Sequence, residues 1–193
     1  ANIEGQVSSD DDVIRTLAPH FRFGITRMCP TLITNSFEAL AAGFRAIDEA
    51  CRREAWVARM VPGCHLEGPY FSREEGPRGA HPLEHVRPAD WDEFSRLQEI
   101  SGNRIRLVTL APEAEGAIPF IRNATAGGVV VSIGHTAECS DQIAAAVVAG
   151  GRGLLLRSPH GAGRHRPGPP RAVHPVRPRP RRVRGAPRRR RPA

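Results

Sequence analysis

The sequence contains no lysine, so its 28 strongly basic residues are all arginine. It also contains no acidic residue after position 150, although 14 of the arginines lie at or beyond Arg152. Residues 1–150 hold the other 14 arginines and all 20 acidic residues, which gives this part a formal net charge of −6. The overall charge of +8 therefore arises from the C-terminal part. It does not indicate a nucleic-acid-binding domain in the body of the chain.

Cysteine is scarce and forms no C-x-x-C pair and no dense framework. The four cysteines are Cys29, Cys51, Cys64 and Cys139. This usage is typical of a reduced, cytoplasmic protein, and Cys64 and Cys139 are expected to be packing residues. The sequence shows no signal peptide and no apolar stretch long enough to span a bilayer, so it predicts no membrane partner.

Residues 1–150 alternate between the periodicities of strands and of helices. Strands are predicted over 24–33, 56–66, 104–112 and 127–135. Helices are predicted over 36–54, 89–100, 117–126 and 140–150, with one more helix before the first strand. Ser36 and Ser140 are the expected N-caps of two of these helices. The Val/Ile run in 127–135 is typical of a parallel strand that is buried on both faces.

Four strand–helix units joined by short connections predict an α/β fold with a parallel sheet and right-handed crossovers. Both a doubly wound sheet and a partial (β/α)₈ barrel fit this order. No glycine-rich dinucleotide or P-loop signature follows any strand, which weakens the nucleotide-binding alternative.

Polar residues gather where the predicted strands end. They are Thr31 and Thr34, His65 and Glu67, Glu113, and His135 and Thr136. In a barrel, these ends meet at one rim, where a carboxylate and an imidazole could bind a divalent metal such as zinc. A single histidine at a strand end is more often structural, but four polar strand ends in one repeating frame favour a site.

Three histidines near Glu67 leave alternatives open. His65 lies two residues before Glu67, so both side chains point to the same side of a strand and both are candidate ligands. His81 and His85 have the i, i+4 spacing of a metal pair on a helix. Pro82 makes a regular helix there doubtful.

Several segments resemble one enzyme family in order and approximate spacing. The segments are "PTLIT", "HLEGPYFS", "GPRGAH", "LVTLAPE" and "VVSIGHT". They resemble the N-acetylglucosamine-6-phosphate deacetylases, which are amidohydrolase-superfamily (β/α)₈ enzymes, and the resemblance covers roughly residues 20–150. "HLEGP" followed by "GAH" is the specific part, and the shorter pieces gain weight from their order.

The resemblance implies roles for particular residues. Glu67 and His135 match metal-binding residues of the family, and Ala80 and His81 match a pair that contacts the substrate. His65 then becomes a supporting residue rather than a ligand. The family's catalytic Asp is not recognisable in this chain, so no catalytic residue is assigned.

The resemblance also implies a chemistry and its partners. The reaction is metal-assisted hydrolysis of the acetamide of N-acetylglucosamine 6-phosphate to glucosamine 6-phosphate and acetate, with zinc as the expected metal. The partner is a small amino-sugar phosphate, and a homodimer stays open. The family's second metal-binding histidine, its phosphate-binding residues and its first barrel strand are not recognisable. The chain is therefore expected to be a fragment whose activity is impaired or absent.

The composition changes near Gly150 and divides the chain into two predicted parts. Residues 1–150 form the partial barrel, and residues 151–193 are an Arg/Pro-rich tail expected to be disordered. Three interpretations of this tail remain open: a basic tail that contacts nucleic acid non-specifically, a proline-rich interaction segment, or a reading-frame error in a GC-rich gene. Two rivals to the deacetylase function follow, namely another metal-dependent amidohydrolase and a basic-tailed nucleic-acid-binding protein.

Overall fold

The computed structural model describes residues 9–137 and 140–156. All of them belong to one unit of the chain, Ala1–Gly161, and the second unit, Ala162–Ala193, lies outside them. The strands are β1 Thr31–Ile33, β2 Cys64–Glu67, β3 Ile105–Leu110, β4 Val130–Gly134 and β5 Arg152–Leu156. The α-helices are α1 Asp10–Leu17, α2 Phe37–Arg53, α3 Ala55–Met60, α4 Trp91–Ile100, α5 Ala117–Ala126 and α6 Ser140–Val148. Two 3₁₀ helices complete the elements, Ala18–Phe23 and Leu83–His85.

The five strands of the described residues form one parallel sheet in the order β1-β2-β3-β4-β5. Each strand lies beside the strand that precedes it in the chain. A doubly wound sheet would reverse its order part-way across, whereas a barrel adds its strands consecutively. The strand order therefore decides between the two predicted architectures and confirms a partial α/β barrel.

Helix α2 shows how local sequence places one helical layer on this sheet. Its N-cap is Ser36 as predicted, with the hydroxyl oxygen accepting the backbone N–H of Ala39 at 3.2 Å. Phe44 and Ile47 are three residues apart, so they share one face of the helix and are both fully buried. The same 3.6-residue periodicity correctly predicted α5, whose bounds are 117–126.

All four predicted strands are shorter in the structure than the sequence indicates, and two of them lose more than half of their predicted length. Only Thr31–Ile33 of the segment 24–33 is a strand, because the backbone ahead of it bonds elsewhere: the N–H of Met28 donates to the carbonyl of Met60 at 2.8 Å. The segment 56–66 was wrong as a single strand. Its first part belongs to α3, where Val57 and Met60 are both buried at helical spacing. The strand begins only at Cys64.

A fifth strand, Arg152–Leu156, pairs in parallel with β4 and was not predicted. Its three consecutive leucines were not predicted as a strand because the composition after residue 150 is rich in arginine and glycine. The predicted tail beyond residue 156 lies outside the described residues. Among the helices that the structure describes, none is both long and apolar enough to cross a membrane.

The largest aromatic cluster of the core lies around Phe120 on α5. Its ring centroid is 5.1 Å from that of Tyr70, 5.2 Å from that of Phe94 and 5.7 Å from that of Trp91. Phe120 is 1% exposed, and the tilted and edge-to-face ring orientations are those that aromatic pairs prefer. This cluster joins α5 and α4 to Tyr70, which follows β2 in the loop that leads to the site.

Candidate metal centre

Strand β2 presents a carboxylate at the carboxyl edge of the sheet because its residues alternate between two environments. Cys64 and Leu66 are fully buried, whereas His65 and Glu67 point to the other face and are half-buried. Burial raises the pKa of the Cys64 thiol, as expected for a packing residue. Cys139 lies outside the described residues.

His65 is tied into a polar row that crosses the sheet. One ring nitrogen lies 3.2 Å from the hydroxyl of Thr31 on β1, and the other lies 2.7 Å from the hydroxyl of Thr109 on β3. Burial lowers the pKa of the His65 imidazole. With both nitrogens occupied by hydroxyls, His65 supports the sheet beneath Glu67 and is not available as a ligand.

A loop after β2 brings His81 over the sheet edge. The loop begins at Gly68, whose φ is +84° and where a Cβ would lie 2.1 Å from the Thr34 hydroxyl, so glycine is required. Near the end of the loop, a Cβ on Gly79 would be 3.7 Å from the His135 ring. The Phe71 ring packs against both imidazoles, with its centroid 4.6 Å from that of His81 and 4.4 Å from that of His135.

Glu67, His81 and His135 form one cluster that could hold a divalent metal ion. Each offers one donor atom, and the three donor atoms lie within 4.8 Å of one another. His135 Nε2 is 3.3 Å from Glu67 Oε1, and the His81 and His135 rings meet edge to face at 4.5 Å. Their side chains are largely shielded from solvent, with 14% exposure for His135 and 20% for Glu67.

The surroundings of His135 fit a bound cation. Its Nδ1 lies 3.2 Å from the carbonyl oxygen of Pro77, while Nε2 faces the Glu67 carboxylate. A neutral imidazole carries only one N–H, so it can satisfy only one of these two acceptors. Without a metal ion, a proton on Nε2 donates to Glu67. When a cation takes the place of this proton, the ring proton lies on Nδ1 and donates to the Pro77 carbonyl, which leaves the Nε2 lone pair for the ion. Metal-binding histidines commonly have this arrangement, in which the second nitrogen donates to a carbonyl.

His81 is held in its neutral form. Its side chain is 6% exposed, and its Nδ1 is buried without a hydrogen-bond partner among the described residues. Burial, together with the neighbouring His135, lowers the pKa of His81 to about 4. The hydrogen bond with His135 lowers the pKa of the Glu67 carboxyl, so this group carries a negative charge at neutral pH.

These shifts predict that the metal-free chain loses stability as it is acidified. Between pH 6.5 and about 4, the unfolded chain takes up a proton on His81 that the folded chain excludes, so the free energy of unfolding falls as the pH falls. The contribution of His81 to stability is lost progressively across this window. Glu67, whose pKa is also lowered, acts in the same direction at lower pH.

Urea unfolding in the presence of EDTA, at pH values from 4 to 7.5, measures this dependence. His81→Asn is expected to flatten the slope. His85→Asn serves as the matched control, since His85 is in the neighbouring 3₁₀ helix and outside the cluster. An equally steep slope in His81→Asn would show that other groups cause the acid sensitivity.

The comparisons with known proteins agree on one family. The chain is 37% identical over 145 residues to the N-acetylgalactosamine-6-phosphate deacetylase of Escherichia coli O157:H7, covering 75% of this chain and 38% of the relative. It is 39% identical over 126 residues to the human N-acetylglucosamine-6-phosphate deacetylase, covering 64% of this chain and 29% of that relative. No family model matches the chain.

A solved structure supports the same assignment. The chain superposes on the N-acetyl-D-glucosamine-6-phosphate deacetylase of Mycobacterium smegmatis with a TM-score of 0.67 and 33% identity, over 76% of this chain and 37% of that one. Over this part of its length, the chain is similar in sequence and in fold to N-acetylglucosamine-6-phosphate deacetylases. A further structure of the Mycobacterium smegmatis deacetylase is a complex with N-acetyl-D-glucosamine-6-phosphate. The chain spans between about three and four tenths of the length of these deacetylases.

The deacetylase-like segments contribute unequally to the cluster. The structure brings together Glu67 and His135, the two residues predicted as metal ligands, although 68 positions separate them. It adds His81, which the resemblance marked as a substrate contact and the i, i+4 spacing with His85 left open as a metal ligand, while the adjacent Ala80 is exposed. His85, the other half of the i, i+4 pair, is not part of the group. The "GAH" segment was the signal that pointed to this loop, but nothing in the sequence showed how close His81 would come to His135.

Proposed function

We propose that this chain carries the metal- and acetamide-binding part of a deacetylase that acts on an N-acetylated amino-sugar 6-phosphate. The observation that carries the proposal is the convergence of Glu67, His81 and His135 within 4.8 Å at the carboxyl edge of a sheet of this family. In barrel enzymes, active sites lie at this edge. The expected products are the free amino-sugar 6-phosphate and acetate.

The proposed ligands are Glu67 and His135, and zinc is the proposed metal. A carboxylate oxygen with imidazole nitrogens suits Zn²⁺, and catalytic zinc sites keep one position open for water or substrate. When bound, the metal would polarise the acetamide carbonyl and lower the pKa of a bound water. Glu67 supplies the negative charge that balances the ion. The carbonyl of Pro77 fixes the His135 ring so that Nε2 faces the proposed position of the ion.

His81 is proposed as the residue that meets the substrate, as predicted for it and Ala80. Its ring lies beside His135 and is neutral above about pH 4, so an N–H from this ring could donate to the acetamide oxygen. Phe71 packs against both rings and keeps water from their inner side. Arg78 donates to the backbone carbonyl of His81 and so secures the loop that carries it.

A proton carrier is the part of the chemistry that the described residues do not supply. Seven aspartates occur in the chain, and among the described residues none joins the cluster. General acid–base catalysis commonly contributes about 10²–10⁴-fold to a rate. We therefore expect the 193-residue chain to bind the sugar phosphate in a metal-dependent way. Its hydrolysis is expected to be slower than that of a full-length relative by about this factor.

Acetate release tests the proposal directly. The purified chain is incubated with ZnCl₂ and either N-acetylglucosamine 6-phosphate or its C4 epimer, N-acetylgalactosamine 6-phosphate, and acetate is followed by NMR. Calorimetric titration of each sugar phosphate, with zinc and with EDTA, measures binding separately. Metal-dependent binding with slow release of acetate is the expected result. If neither sugar phosphate binds in the presence of zinc, the proposed function is wrong.

A further inference from the structure

We propose that Glu113 is a positioning residue for this metal centre, acting through the turn that presents His135. The inference rests on the proposed function and adds to it a residue from the loop after β3. Glu113 ends the "LAPE" segment that was predicted as one of the polar strand ends. Its side chain is half-buried and bonds to the loop after β4 rather than to the metal-binding cluster.

The carboxylate of Glu113 binds two consecutive residues of that loop. Its Oε2 accepts a hydrogen bond from the Thr136 hydroxyl at 2.6 Å, and its Oε1 accepts one from the backbone N–H of Ala137 at 2.8 Å. Strands β3 and β4 are parallel neighbours, so their following loops leave the sheet side by side. One carboxylate thus fixes the chain directly after His135, and it needs both of its oxygens to do so.

The turn at His135 requires such support because its backbone conformation is uncommon. His135 has a φ of +52°, in the left-handed region that residues other than glycine rarely adopt. Conformations of this kind persist where the surroundings fix them. On one side, the carbonyl of His135 accepts the N–H of Ser72 at 3.1 Å. On the other side, Glu113 holds the two residues that follow.

The direction of the His135 ring depends on this turn. In the observed conformation, Nδ1 lies 3.2 Å from the Pro77 carbonyl oxygen while Nε2 faces Glu67. Groups that orient a metal ligand without touching the metal typically change metal affinity by about 10–100-fold when they are removed. Glu113 is therefore expected to act on the affinity and on the geometry of the bound ion.

Cobalt binding by the whole chain provides the test, because Co²⁺ can replace zinc and its visible absorption reports the coordination geometry. Calorimetry and absorption spectra are measured for the unmodified chain, Glu113→Ala, Glu113→Gln and Glu115→Ala. Glu115 lies in the same loop with an exposed side chain, which makes it the matched control. We expect Glu113→Ala to weaken Co²⁺ binding by about 10–100-fold and to alter the spectrum.

Glu113→Gln is expected to lose less, because its carboxamide oxygen can still accept the N–H of Ala137 while its NH₂ group donates to the Thr136 hydroxyl. Glu113→Gln also keeps the volume of the side chain, so it still tests the positioning role of Glu113 if the alanine variant does not fold. Affinity and spectrum equal to those of Glu115→Ala in both Glu113 variants would overturn the inference while leaving the metal centre intact. Failure of the unmodified chain to bind Co²⁺ would instead overturn the metal centre, and the role of Glu113 with it.

Discussion

Replacing Glu67 by glutamine is expected to abolish metal binding in practice, with a loss of affinity above the roughly 100-fold that supporting residues cause. The change keeps the volume of the side chain and one oxygen but removes the negative charge that faces His135 Nε2 at 3.3 Å. That charge is the group which makes a cation favourable between these two side chains. Calorimetric titration with Zn²⁺ or Co²⁺ measures the effect.

Glu84→Gln is the matched control for this experiment. Glu84 is an exposed carboxylate in the 3₁₀ helix that follows His81, outside the cluster. The Glu84→Gln variant should bind metal as the unmodified chain does. A general effect of charge on metal affinity would instead lower the affinity of both variants. Equal affinities in Glu67→Gln and Glu84→Gln would contradict the assignment of Glu67 as a ligand.

The role of His81 is decided in the same titration. If His81 meets the substrate, His81→Asn keeps metal affinity close to that of the unmodified chain and weakens binding of the sugar phosphate. If His81 is instead a third ligand, metal affinity falls in His81→Asn about as far as in Glu67→Gln. The second outcome would show that His81 is a metal ligand rather than a substrate contact. The distance of its donor atom from those of Glu67 and His135 permits this role.

The largest loss of stability is expected for Phe120→Ala, at about 3–5 kcal/mol. Phe120 is 1% exposed and contacts three other aromatic rings, so truncation removes buried apolar area and leaves a cavity among side chains from several elements. Such a loss is a large part of the 5–15 kcal/mol typical of a folded domain. Urea unfolding followed by circular dichroism measures it.

Phe23→Ala is the corresponding control, because Phe23 is 80% exposed and its truncation leaves no cavity. Surface substitutions of this kind usually change stability by less than about 0.5 kcal/mol. Comparable losses in the two variants would mean that the cluster around Phe120 is not a packed core. The comparison also tests the loop after β2, since Tyr70 of that loop packs on Phe120.

The sequence determined those features that depend on neighbours along the chain. Ser36 is followed by apolar residues at helical spacing, and these two signals are sufficient for α2. A Val/Ile run flanked by glycines predicted β4, and the residues that end β2 and follow β4 supplied Glu67 and His135. Parallel neighbouring strands necessarily bring such ends to one edge, so the sequence also predicted where the site would form.

The tertiary structure decided what depends on residues far apart in the chain. The segment 56–60 has an apolar pattern that fits either a strand or a helix, and burial of Val57 and Met60 selected the helix. Strand β5 forms because β4 offers it an edge, although its arginine- and glycine-rich surroundings predict no strand. The approach of His81 to His135 depends on Phe71, which packs against both rings. The left-handed turn at His135 depends on contacts from Ser72 and Glu113. Periodicity describes one segment at a time, whereas these contacts join loops that follow different strands.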